Sequence, residues 1–187
     1  MSQKSDNDRE QLRLEYLFDR GISIKDRVVQ ITGHIEEGSF DFIDAALTEL
    51  ERGSRKAITV RINSPGGSVY EALAMAGRLQ SSKCQIITEG YGHIMSAAIL
   101  ILAAGDKRRM SRLAWAMNHE ASYTIGGRHS DVKDEIAQME REERMWCDTM
   151  AEMSNADADF WYNTSHKKNF YLDASECKNL GLIDEIL

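Results

Sequence analysis

Ser96, in GYGHIMSAA, and His119, in MNHEAS, are the residues whose types could do covalent chemistry together. A serine hydroxyl is a weak nucleophile until a base takes its proton, and histidine is suited to that task near neutral pH. Ser96 falls where a strand gives way to a helix, so backbone N–H groups at the helix start could stabilise negative charge beside it. The small neighbours Ala97 and Ala98 allow close approach. Alone, Ser96 reads more simply as a packing residue in an apolar helix. His119 shifts that balance, because it directly follows a predicted strand and can point into a cleft beside a sheet. His93, three residues before Ser96, is a competing base whose simpler role is a local bond at the turn.

The stretch INSPGGSV (Ile62 to Val69) holds the only proline of the 187-residue chain. Acyl transfer needs donors aimed at the oxygen that becomes negative in the tetrahedral intermediate. Glycine lets a backbone approach a substrate and adopt positive φ, and proline stiffens the approach. SPGG at the end of a strand could therefore form a rigid ledge of exposed N–H groups; a plain strand-to-helix turn is the simpler alternative.

The elements that must position these residues follow from periodicity. RVVQITG (Arg27 to Gly33) predicts a strand. Phe40, Ile43, Leu47 and Leu50 recur at helical spacing and predict a helix over 40–52, with Ser39 as cap and Gly53 as stop. A pattern then occurs twice. AITVRIN (Ala57 to Asn63) predicts a strand, followed by SPGG and a helix carrying Val69, Leu73, Ala76 and Leu79. CQIITEG (Cys84 to Gly90) predicts a second strand, followed by YGH and an apolar helix from about Met95 to Ala104. Two strand–glycine turn–helix units indicate an α/β domain with buried, mostly parallel strands. RLAWAMN predicts another strand, and a long helix is expected from about Ser130 to Ser154. That helix either packs on the core or projects and packs on a copy of itself.

Composition excludes several classes. A formal net charge of -7 and the lack of a basic cluster interleaved with aromatics argue against nucleic-acid binding. The polar start, MSQKSDNDREQLRLEY, has no apolar leader-like run, and the longest apolar stretch, Ile94 to Gly105, is too short to span a bilayer. Cys84, Cys147 and Cys177 are odd in number and widely spaced, which fits a reduced cytoplasmic protein. The five histidines show no ligand spacing, so no metal is expected.

Together these segments resemble the proteolytic subunit of the Clp protease, a self-compartmentalising serine peptidase, from about Gly21 to Leu187. RINSPGGSVYEALAM resembles that family's oxyanion strand and helix, GYGHIMSAAILILAAG its nucleophile segment, and MNHEAS its histidine segment. IGGRHSDVKDEIAQMEREE resembles its long handle helix and KNFYLDASECKNLGLID its C-terminal signature. The resemblance implies a repeated ββα superhelix shared with the crotonases, a protruding handle at about 130–154, and one peptidase domain over 21–187. Residues 1–20 would form a polar segment, mobile or axial. It implies Ser96 as nucleophile, His119 as base, Asn169 as the group orienting the histidine, and the N–H groups of Gly67 and Ala97 as oxyanion donors.

Two positions depart from the family pattern. Ala98 stands where the family has glycine and is expected to narrow the cleft. Asn169 stands where it has aspartate, keeping an acceptor but losing the charge; Asp173 is the alternative third member. The resemblance further implies self-assembly into heptameric rings, two of them stacked through the handle into a tetradecamer. It implies unfolded polypeptides as substrates and a Clp-type AAA+ unfoldase as partner. That partner would use ATP, because this chain has no G-x-x-x-x-G-K-[ST] loop and is expected to bind no cofactor. The alternatives are a non-catalytic subunit of a mixed ring and a crotonase-type acyl-CoA enzyme.

Overall fold

A computed structural model describes residues 21–187; the polar segment 1–20 lies outside the described residues. Strands β1 (Ile22–Ser23), β2 (Val28–Ile35), β3 (Ile58–Gly67), β4 (Ile86–Met95), β5 (Lys107–Met110) and β8 (Glu185–Ile186) lie side by side in that order. All neighbours run parallel except β1 and β2. β6 (Trp115–His119) pairs parallel with the far end of β4 and antiparallel with β7 (Asn169–Asp173). In β3 the β-branched Ile58, Val60 and Ile62 alternate inward at period two, which fits a pleated surface buried on one side. The mixed α/β class and the parallel strands expected from the sequence are therefore present.

Helix α1 (Ser39–Gly53) buries Ile43, Ala46, Leu47 and Leu50. Ser39 is its first residue rather than its cap. The capping position falls to Gly38 at φ 91, and Ser39 Oγ instead accepts from Glu36 N–H. Helix α2 (Val69–Gln80) starts at Ser68, whose hydroxyl accepts from Glu71 N–H. Helix α3 (Ala97–Ala103) is apolar all round and every one of its seven residues is buried, packed against α2, β3 and β4.

The second expected strand ends differently from the sequence reading. YGH is not a turn, for β4 continues through it to Met95. The strand bends at Gly92 (φ 61), where a Cβ would lie 2.7 Å from Asn63 Oδ1. Before the bend it pairs with β5, after it with β6. This change of partner brings the end of β4 alongside β6.

Helix α4 (His129–Glu152) coincides closely with the long helix expected at 130–154. No side chain between 129 and 141 is buried, whereas Glu142, Cys147 and Met150 are. Its first half projects and its second half packs on α5 (Ala158–Ser165). Helix α6 (Ala174–Asn179) packs against β7 and β8.

Candidate active site

Ser96 sits in the elbow between β4 and α3 with φ 53 and ψ -129, a conformation an L residue adopts only when its surroundings impose it. Those surroundings are visible. Ser96 N–H donates to Met117 O at 2.7 Å, and Met95 pairs with Met117 in the β4–β6 ladder. Two residues beyond Met117 on the same face of β6 stands His119, and its Nε2 lies 2.8 Å from Ser96 Oγ. The zippering of β4 to β6 thus sets the distance between the two reactive groups. His93, the rival base, has its N–H on Asn63 Oδ1, pairs with Trp115, and does not line the cavity at Ser96.

SPGG is strand, not turn. It is the last part of β3, with His34 opposite Gly66 and Ile35 opposite Gly67. Pro65 is accommodated because it falls within the register shift toward β2, between Asn63 and Gly66, and just after the one toward β4. Gly66 (φ 90) touches the nucleophile segment directly. A Cβ there would come within 2.5 Å of Met95 O, 2.7 Å of Ser96 Cβ and 2.9 Å of Ala97 N. Its own N–H donates to the buried Ser64 Oγ at 3.0 Å. Gly67 (φ 149) would drive a Cβ to 2.0 Å from Ile35 O.

The direction of the Gly67 N–H follows from the ladder. Ile35 O accepts from Ser68 N–H at 2.7 Å, so β2 bonds the residues flanking Gly67. In a parallel ladder the residue between them presents its N–H to the side away from β2, here the side of β4. The first N–H of α3 belongs to Ala97, and no side chain caps that helix.

The histidine side is looser. Asn169 lies directly across β7 from His119 in the antiparallel register, but its side chain is exposed and makes no hydrogen bond to His119 among the described residues. Asp173 is at the far end of β7, opposite Trp115. Its carboxylate accepts from Glu176 N–H in the capping box of α6, so it is committed elsewhere. Ala98 is fully buried and does not line the cleft, so its methyl fills core instead of narrowing the site as expected.

A cavity of about 250 Å³ opens beside Ser96 and His119, walled by Val69, Tyr123, Met139 and Trp146 among others. Cys147 also lines it. Burial, then the charges of Glu143 and Asp148, push its thiol up to about 11, so it is no rival nucleophile near neutral pH. The sequence spacing gave no metal signal, yet Glu120, Glu143 and His166 each bring a ligand atom within 4.8 Å of one another. Glu120 Oε2 already accepts from Lys167 N–H at 2.8 Å, and its 3.7 Å separation from His166 Nδ1 is longer than a hydrogen bond, so this carboxylate is committed to the backbone.

Residues 15–187 match the family model described as Clp protease. The chain belongs to the Clp protease family. A Clp protease proteolytic subunit of Borreliella afzelii is 28% identical over 167 residues, covering 88% of this chain and 84% of that protein. A proteolytic subunit 1 of Rhodococcus jostii is 31% identical, covering 87% and 76%. Among solved structures, an asparagine-to-aspartate mutant of ClpP1 from Listeria monocytogenes superposes with a TM-score of 0.80 at 25% identity, covering 88% of this chain and 92% of its own. These likenesses establish the fold and make the chain a serine-type peptidase of the Clp class. The acyl-CoA and non-catalytic alternatives are not favoured.

Proposed function

We propose that Ser96 is the nucleophile of this peptidase and His119 its general base, and the observation that carries this is the 2.8 Å contact between them at a strained elbow. His119 Nε2 takes the hydroxyl proton as Oγ attacks the scissile carbonyl, which requires the imidazole tautomer protonated at Nδ1. The developing oxyanion lies between the N–H groups of Gly67 and Ala97. His119 then returns the proton to the leaving amine, and water repeats the sequence in reverse to free the acyl group. Asn169 orients His119 through its side-chain oxygen after a rotation toward Nδ1; being neutral, it leaves the imidazolium without a countercharge.

The chain works in an assembly. Seven subunits form a ring and two rings stack through α4, enclosing the sites so that only unfolded polypeptide reaches them. The projecting half of α4 supports this, as do the exposed apolar side chains Leu113, Trp115 and Tyr171. A Clp-type AAA+ unfoldase consumes ATP and delivers substrate; the chain itself binds no cofactor. Three free, buried cysteines fit the reducing cytoplasm, and no helix of the described residues is long and apolar enough to cross a membrane.

A fluorophosphonate probe tests the chemistry. The assembled protein is expected to be labelled once per chain, with labelling and peptide hydrolysis both lost in Ser96→Ala. Labelling that persists in Ser96→Ala, or none in the assembled wild type, overturns the assignment.

A further inference from the structure

The face of α4 that closes the cavity carries Ile136, Met139, Glu140, Glu143 and Trp146 at helical spacing, and Glu142 joins the wall beside them. Glu142 is 5% exposed. Its two donors, Tyr70 Oη–H and Gln138 Nε2–H, are both neutral, and both fall on Oε1. Oε2 takes no hydrogen bond from the described residues, and Glu142 is one of the residues that line the cavity. No lysine or arginine among the described residues lines this space, and Glu142 has no ion pair there, whereas Glu120, Glu140 and Glu143 add further carboxylates. A carboxylate removed from water without a countercharge is costly, and a cation arriving from outside offsets that cost.

The rest of the wall is apolar: Val69, Ile125, Ile136, Met139 and Trp146. An apolar trough with an unpaired carboxylate at one wall complements a side chain with an aliphatic stem and a cationic head. We infer that this cavity receives the side chain on the acyl side of the scissile bond and selects lysine or arginine there, with Glu142 Oε2 as the specificity-determining acceptor. A leucine or methionine would fill the trough but leave Glu142 desolvated and unpaired. An acidic side chain would meet repulsion from all four carboxylates. The inference rests on Ser96 being the nucleophile.

Peptidyl diphenyl phosphonates, which label a serine nucleophile according to the side chain they place beside it, test the preference on the full chain as it assembles. The arginine probe is expected to label Ser96 about ten- to a hundredfold faster than its uncharged isostere citrulline, the span of one charge-assisted hydrogen bond. In Glu142→Gln, which retains an acceptor for Tyr70, that ratio is expected to fall to about one. Equal rates for arginine and citrulline in the wild type overturn the inference, as does a ratio that survives Glu142→Gln. The first comparison needs no variant and decides the matter even if Glu142→Gln does not fold. The simple fluorophosphonate separates the two levels: if it labels Ser96 while the arginine preference is missing, the specificity fails and the peptidase reading stands. If it labels nothing, the peptidase reading itself has failed.

Discussion

The two sides of the serine are built to different tolerances. On the donor side, β3 and the β4–α3 elbow are packed until no atom can be added: Gly66 lies against Met95, Ser96 and Ala97, and Gly67 against Ile35. The flanking amides are all committed, Gly66 to Ser64, Ser68 to Ile35 and Ser96 to Met117. On the histidine side, His119 is fixed by its contact with Ser96, while Asn169 across the strand is exposed and unattached to it. An oxyanion hole works by being in place before charge appears, since donors that reorganise during reaction stabilise less. A histidine needs only to swing into line, and its partner governs chiefly the stability of the imidazolium. The molecule has therefore fixed rigidly what cannot be corrected during the reaction, and left loose a part that can.

The sharpest way to break this contrast is Gly66→Ala. The methyl would meet backbone atoms and the nucleophile's Cβ, none of which can rotate away. Displacing Ser96 and Ala97 together is expected to lower kcat by about 10²–10³-fold, the scale of losing one oxyanion donor. Steady-state hydrolysis of a fluorogenic peptide measures it, with circular dichroism to verify the fold. Activity within a few fold of wild type would show that the donor side is not tightly defined.

The loose side is sharpened by Asn169→Asp. A carboxylate opposite His119 would supply both the missing charge and a stronger acceptor for Nδ1–H. Because position 169 is exposed, solvent screens much of that benefit. The expected rise in kcat is about tenfold, far below the ~10⁴ associated with a buried triad aspartate in another protease. Assembly, followed by native mass, should not change. An unchanged or lower kcat would show that Asn169 does not act through His119.

What the sequence made legible divides along similar lines. Ser96 and His119 could be singled out by residue type and by position at a strand end, but locally Ser96 reads as packing and SPGG as a turn; it is the combination of segments, matched to a family, that pairs them. Helices α1, α2 and α4 were readable because their apolar residues repeat over several turns. The continuation of β4 through Tyr91–Gly92–His93 was not, because two glycines around a tyrosine signal a turn; pairing with β6 and β3 beyond them keeps the chain extended. β5 and β8 are too short to show any period. Gly66's contact with Ser96 and the burial of Ala98 depend on how two distant segments are rotated onto each other. The same holds for Glu142, whose partner Tyr70 comes from α2. Burial of a charged residue on an otherwise solvated helix leaves no trace in local pattern.

The smallest effect separates the acid sensitivity of the fold from that of the site. Glu51 on α1 accepts from Arg78, Ser82 Oγ and Lys83 N–H, far from Ser96 in the sequence and outside the cavity. The Arg78 guanidinium beside it, more than those weaker donors, holds its carboxyl at about 2 against the opposing effect of burial, where 4.5 is ordinary. A carboxyl whose pKa is depressed by folding adds stability that is fully present above about 4.5 and is lost as pH falls from there toward about 2. Glu51→Gln should therefore lower the thermal midpoint at pH 6, and the gap to wild type should narrow as pH falls from about 4.5 to 3. A gap that stays constant across that range would mean the α1–α2 ion pair contributes nothing to the acid limb.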